Sequence, residues 1–73
     1  MVRVKVRLFA RLREDFGRKE LNLEVKTVED VLTYFNVKDV IVAINNELVS
    51  SSELTKELKD GDVVDLMPPF SGG

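Results

Sequence analysis

From Val2 to Leu8 apolar and basic residues alternate without a break: Val2, Val4, Val6 and Leu8 against Arg3, Lys5 and Arg7. A period of two belongs to a strand with one buried face, so the aliphatic set is expected inward and the basic set outward, with Phe9 next on the outward side. Between Ala10 and Gly17 the polarity rises and Gly17 offers a turn, and this stretch reads as a connector with one loose helical turn. Leu21, Leu23 and Val25 resume the period of two, close enough in sequence to pair antiparallel with the first strand. Thr27 ahead of Val28, Glu29 and Asp30 marks a helix start, a hydroxyl to accept from free N–H groups and acids at the positive end of the helix dipole. Val28, Val31, Leu32 and Phe35 then recur at helical spacing, and Asn36 is the stop.

Val40 to Ile44 is β-branched apart from one alanine, and Asn45-Asn46 favours a turn, which predicts a third strand and a short return through Leu48 and Val49. Ser50-Ser51-Ser52 reads as a loop that caps a brief helical turn burying Leu54 and Leu58. Asp60-Gly61 is a tight-turn dipeptide. Behind it Val63 to Met67 forms the last strand, with Val64 and Leu66 on one face and Val63, Asp65 and Met67 on the other. One sheet with one helix across it is the economical way to bury Val4, Val6, Leu8, Leu23, Val31, Leu32, Phe35, Val42, Ile44, Val64 and Leu66 together. The expected fold is α+β: a ubiquitin-like β-grasp, a mixed sheet with one main helix packed across it, over residues 1–67, followed by an extended diglycine tail over 68–73.

Composition narrows the chemistry. With 73 residues there is room for one core, and a chain of this size often needs a disulfide or metal to hold it. The sequence has no Cys and no His, which excludes disulfide frameworks, zinc knuckles, iron–sulfur clusters, Cys nucleophiles and His bases within it. Hydrophobic residues at 44% alongside 33% charged residues mark a folded rather than a disordered chain. Eleven Lys and Arg against 13 Asp and Glu leave a net charge of −2, so no overall field favours nucleic acid or an anionic membrane. Arg3, Lys5, Arg7, Arg11 and Arg13 do concentrate early, but with Phe9 as their one aromatic they make no stacking platform; they are expected to solvate a sheet face or to meet an acidic partner. The longest aliphatic run, Val40 to Ile44, is too short to span a bilayer, and the basic residues at the start are interleaved with the apolar ones, unlike a signal peptide. A cytoplasmic location is expected. Carboxylate neighbours such as Glu14 and Asp15 lack the cleft that acid–base work requires and read as surface groups.

After Met67 the sequence reads Pro68-Pro69-Phe70-Ser71-Gly72-Gly73. Two prolines have no N–H to give a sheet and prefer extended backbone, so they end the strand and direct the tail away from the body, with a reach of roughly 20 Å. Gly72 and Gly73 have no side chains, which suits a segment that threads a narrow channel and presents a bare α-carboxylate on Gly73. Phe70 gains nothing from standing in water, whereas a docked tail gives it a place. An ionised carboxylate can attack an activated phosphate to form an acyl-adenylate, which a persulfide or thiol then opens to a thiocarboxylate or a thioester. No Gly-rich phosphate cradle is present, so the ATP site belongs to a partner and no cofactor is expected on this chain.

These residues carry a family resemblance. Leu8-Phe9-Ala10 with Leu12-Arg13-Glu14, Thr27-Val28-Glu29, Ala43-Ile44-Asn45 with Leu48-Val49, Asp60-Gly61-Asp62 and above all Pro68-Pro69-Phe70-Ser71-Gly72-Gly73 resemble the small subunits of molybdopterin synthase, within the ubiquitin-like sulfur carriers that also include the thiamine sulfur carrier. The diproline favours the molybdopterin branch. The resemblance implies adenylation of Gly73 by an E1-like enzyme, loading by a sulfur donor protein to a thiocarboxylate, and insertion of Pro68, Pro69, Phe70, Ser71 and Gly72 into the large synthase subunit. Sulfur then passes to the pterin precursor of the molybdenum or tungsten cofactor. It also implies a partner-facing apolar patch at Phe9, Leu48 and Met67, of which strand parity independently turns Phe9 and Met67 outward. Where this chain has Phe70 the family more often has a smaller aliphatic residue, so the receiving channel is wider or the partner is a different one. Two further readings stand beside the sulfur carrier, which supplies a reactive atom but no catalytic side chain: a ubiquitin-like modifier joined through Gly73 to lysines of other proteins, and a plain β-grasp interaction module with an inert tail.

Overall fold

A computed structural model describes residues 1–37 and 39–68. The alternating N-terminal segment forms β1 (Val2–Leu8), followed by α1 (Arg11–Phe16), β2 (Glu20–Val25), α2 (Val28–Phe35), β3 (Ile41–Ile44), β4 (Glu47–Val49), a 3₁₀ turn (Ser51–Glu53) and β5 (Val63–Met67). The five strands make one sheet in the order β2-β1-β5-β3-β4. β1 pairs antiparallel with β2 and parallel with β5, and β3 pairs antiparallel with both β5 and β4. This is the expected mixed sheet with a main helix, α2, against one face.

The inward half of each strand meets α2. Val4, Val6, Leu8, Leu23, Val25, Val42, Val64 and Leu66 share one buried cluster with Val28, Val31 and Phe35 of the helix. Leu32 and Ile44, expected in the centre, are half-buried at its margin, while Leu12 and Leu58 join it. Leu12 enters because the connector after β1 is a true helix and not the loose turn its polarity suggests. The six residues of α1 expose five side chains and sink one, a pattern too short and polar for periodicity to register. Phe16 at its end meets Phe35 edge to face, ring centroids 5.0 Å apart. The serine loop turns as predicted, with Leu58 buried and Leu54 half-buried.

Local chemistry decides where most elements begin and end. Thr27 and Asp30 form a capping box on α2, the Asp30 N–H donating to Thr27 Oγ1 at 3.3 Å and the Thr27 N–H to Asp30 Oδ2 at 3.0 Å. Asn36 closes the helix in the left-handed region, its N–H donating to carbonyls of Leu32 and Thr33. Asn45 and Asn46 both have positive φ, at 50° and 72°, as a two-residue type I′ hairpin requires. Ala10 departs from such preferences: its φ of 52° and ψ of −127° match the first central residue of a type II′ turn, and the Leu12 N–H donates to the Phe9 carbonyl at 3.1 Å across it. Glycine is the usual occupant there, and alanine stores strain.

Three outcomes are expected. Thr27→Ala should lower unfolding stability by about 1 kcal/mol in urea titrations, and Ala10→Gly should raise it by several tenths to about 1 kcal/mol through relief of the turn. The N–H groups of Thr27 and Lys26 hold the Asp30 carboxyl below the ordinary aspartate range. Its contribution to stability is therefore complete above the unfolded value of about 3.9 and disappears as pH falls through the lower folded value. Replacing Asp30 with Asn should flatten the acid limb of a pH–stability curve.

Candidate partner-docking face and tail root

The sheet face turned away from α2 is ordered by register. Arg7 lies opposite Glu20 on β2 and Asp65 on β5, Asp65 opposite Ala43 on β3, and Ala43 opposite Leu48 on β4, giving one transverse row across all five strands. The adjoining row begins at Phe9, whose N–H donates to the Leu66 carbonyl at 3.1 Å and so extends the β1–β5 pairing one residue past Leu8. Alternation then sets Phe9 beside Met67, and Met67 is opposite Ile41. Phe9, Met67 and Ile41 are half-buried, and Leu48 is 74% exposed. The structure thus brings Phe9, Leu48 and Met67 onto one face, the side that sequence parity assigned to two of them. Pro68 follows Met67 outside the strand and is half-buried. Pro69, Phe70, Ser71, Gly72 and Gly73 lie outside the described residues.

One constituent of this face was not anticipated. The sequence expects Asp65 to point outward, and Arg7 to solvate a sheet face or meet an acidic partner. They form a bidentate ion pair, Arg7 Nε donating to Oδ1 at 2.6 Å and Nη2 to Oδ2 at 2.8 Å, with Asp65 only 6% exposed. The hydrogen bond and charge of Asp65 raise the Arg7 guanidinium further above its already high value, so Arg7 stays charged at any physiological pH. The guanidinium also lies over the Phe9 ring, 5.7 Å from its centroid, within cation–π range. An acid in the middle of a five-residue apolar strand was the available signal, but its partner lies 58 positions away and only the parallel register names it.

Among the described residues no cluster of three or more His, Cys, Asp or Glu side chains is placed to hold a metal ion, and no helix is long and apolar enough to cross a membrane. What the site offers is a surface: an apolar patch around a charged pair, at the edge where the last strand hands the chain to its tail.

The sheet order, the helix across one face and the tail-bearing last strand define a ubiquitin-like β-grasp protein. The chain belongs to the ThiS family, whose model matches residues 6–73. No curated protein matches the sequence. Among solved structures it is similar to small archaeal modifier protein 1 of Methanosarcina acetivorans, at 31% identity and a TM-score of 0.80, covering 100% of this chain and 98% of that one. It is also similar to a Pyrococcus furiosus protein assigned as subunit 1 of the molybdopterin converting factor, at 34% identity and a TM-score of 0.77, over 94% of this chain and 99% of that one. A third match is to a complex of subunits 1 and 2 of the molybdopterin-converting factor from Helicobacter pylori, at 25% identity and a TM-score of 0.72, over 99% of this chain and 100% of its counterpart. The fold is that of ubiquitin-like sulfur carriers and modifiers.

The buried pair makes a stability prediction. Arg7→Leu alone strands a buried carboxylate and should lower the urea midpoint clearly, whereas Arg7→Leu with Asp65→Ala should recover most of the loss, because apolar replacement of a whole buried pair is often neutral or better.

Proposed function

We propose that this protein is a cytoplasmic sulfur carrier of the molybdopterin-synthase type. The observation that carries the reading is a junction: the apolar face of Phe9, Met67 and Leu48 meets the end of β5 where the chain enters Pro68-Pro69-Phe70-Ser71-Gly72-Gly73, a segment included in the family match. A partner seated on that face receives the tail beside it. Docking energy then comes from the face, and the reactive atom from Gly73.

In this scheme a Gly73 carboxylate oxygen attacks the α-phosphorus of ATP held by an E1-like enzyme, releasing pyrophosphate and leaving an acyl-adenylate. A persulfide on a sulfur donor protein displaces AMP, and a second thiolate cleaves the resulting acyl disulfide to free the thiocarboxylate. Carried into the large subunit of the synthase, Gly73 gives its sulfur to a pterin precursor and returns as a carboxylate. Support for the large-subunit partner comes from the Helicobacter pylori neighbour, which is a complex of subunits 1 and 2. The Methanosarcina acetivorans neighbour, a small archaeal modifier protein, supports a second reading in which the same adenylate is captured by a lysine amine as an isopeptide.

Intact-mass spectrometry of N-terminally tagged protein, isolated from its host under denaturing conditions, separates these readings. Exchange of one oxygen for sulfur at the C-terminus is expected, and removal of Gly72 and Gly73 should abolish it while leaving the circular dichroism spectrum unchanged. Heavier lysine-linked adducts without any sulfur exchange replace the carrier with the modifier. An unmodified tail, inert with activating enzyme and ATP, removes both.

A further inference from the structure

The ion pair at the centre of the face satisfies the buried Asp65 carboxylate but uses only part of what Arg7 offers. Phe9, Met67, Ile41 and Ala43 lie on the same face as the pair, and an ion pair with one buried partner contributes little net stability compared with hydrophobic residues of the same volume. A guanidinium has five N–H donors, of which Asp65 takes two, and among the described residues Asp65 is the one acceptor of Arg7's N–H groups. Glu20, opposite on β2, adds charge but no hydrogen bond. The remaining N–H edge belongs to a side chain that is 39% exposed and held in one orientation by Asp65 on one side and the Phe9 ring on the other.

That geometry has consequences for whatever covers the face. A wholly apolar partner would strip water from three charged N–H groups and return nothing, a cost that excludes it. A partner with an acceptor opposite Arg7 is accepted. The surroundings favour an anionic acceptor over a neutral one, since Arg7 shares a shallow hollow beside Phe9 with Arg13 and Lys19 against the single acid Glu20, in a chain whose overall charge is −2. Arginine's planar fork suits a carboxylate in particular.

We propose that Arg7, positioned by Asp65, is the specificity-determining contact of this face, and that the protein docking there places an Asp or Glu carboxylate against the open N–H edge of Arg7, beside the apolar residues Phe9 and Met67. This rests on the reading of the face as the docking surface for the carrier's partners, and the test keeps the two apart. Binding of the full chain to the large synthase subunit and to the adenylating enzyme of its own organism is measured by titration calorimetry at low and high NaCl. The double variant Arg7→Leu/Asp65→Ala retains an uncharged, packed face, with its fold checked by circular dichroism. It should bind at least one of the two partners roughly tenfold or more weakly, and the salt sensitivity seen with the native chain should vanish with it. Leu48→Glu, on the same face but away from the pair, should abolish binding.

If Leu48→Glu abolishes binding while the double variant keeps native affinity and native salt dependence, the docking surface stands and the role of Arg7 is overturned. If Leu48→Glu binds as the native chain does, or the native chain binds neither partner, the docking reading falls and this inference with it. Sedimentation velocity of the chain alone should show a monomer. Self-association that the double variant loses would put a second copy on the face and overturn the proposal.

Discussion

The parallel pairing of β1 with β5 is the constraint on which everything else depends. Parallel neighbours cannot be joined by a tight turn, so the whole of α1, β2, α2, β3 and β4 lies in the connection between them. The pairing closes the longest loop in the molecule and sets Leu8 against Leu66 in the core, both at 2% exposure or less. The same register, continued one residue, sets Phe9 against the strand end that leads to the tail. Core and open face are two sides of one ladder, because side chains alternate across it with a period of two.

That alternation lets a chain of 73 residues hold together without a disulfide and still present a working surface. The central inward residues, Val4, Val6, Leu8, Val42, Val64 and Leu66, share a core with α2 and are almost wholly removed from water. Outward residues near Met67 are apolar too, so the sheet is covered on one face and only half-covered on the other. An exposed apolar patch beside an unsheathed strand end invites indiscriminate association. In the proposed docking role, the charged pair beside the patch raises the cost of every partner that fails to complete its hydrogen bonds.

The turns show how local chemistry supports this arrangement and where it gives way. At Asn36, Asn45 and Asn46 the residue matches the left-handed backbone it must adopt. At Ala10 it does not, and that turn follows Phe9 directly, carrying the chain from the open face to α1. Strain is tolerated there because β1 on one side and the buried Leu12 on the other leave the chain no other path.

Much of the molecule was legible in the amino-acid order. Strand and helix periodicity placed β1, β2, α2, β3 and β5, the Thr27 hydroxyl with the acids Glu29 and Asp30 behind it marked the start of α2, and paired asparagines marked the hairpin between β3 and β4, because each of these rests on neighbours within a few residues. Parity alone turned Phe9 and Met67 outward. Three things waited for the tertiary structure. The length of α1 was hidden because four of its six residues are charged and one apolar pair, Leu12 and Phe16, is too little to establish a period, so the amino-acid order shows no more than a helical turn there. Leu48, which only the family resemblance had put with Phe9 and Met67, took a physical place on the face once β4 was registered against β3. Arg7 and Asp65 became a pair only when residues 58 positions apart were brought to opposite places on adjacent strands, since a sequence records which charges exist but not which of them the sheet will hold together.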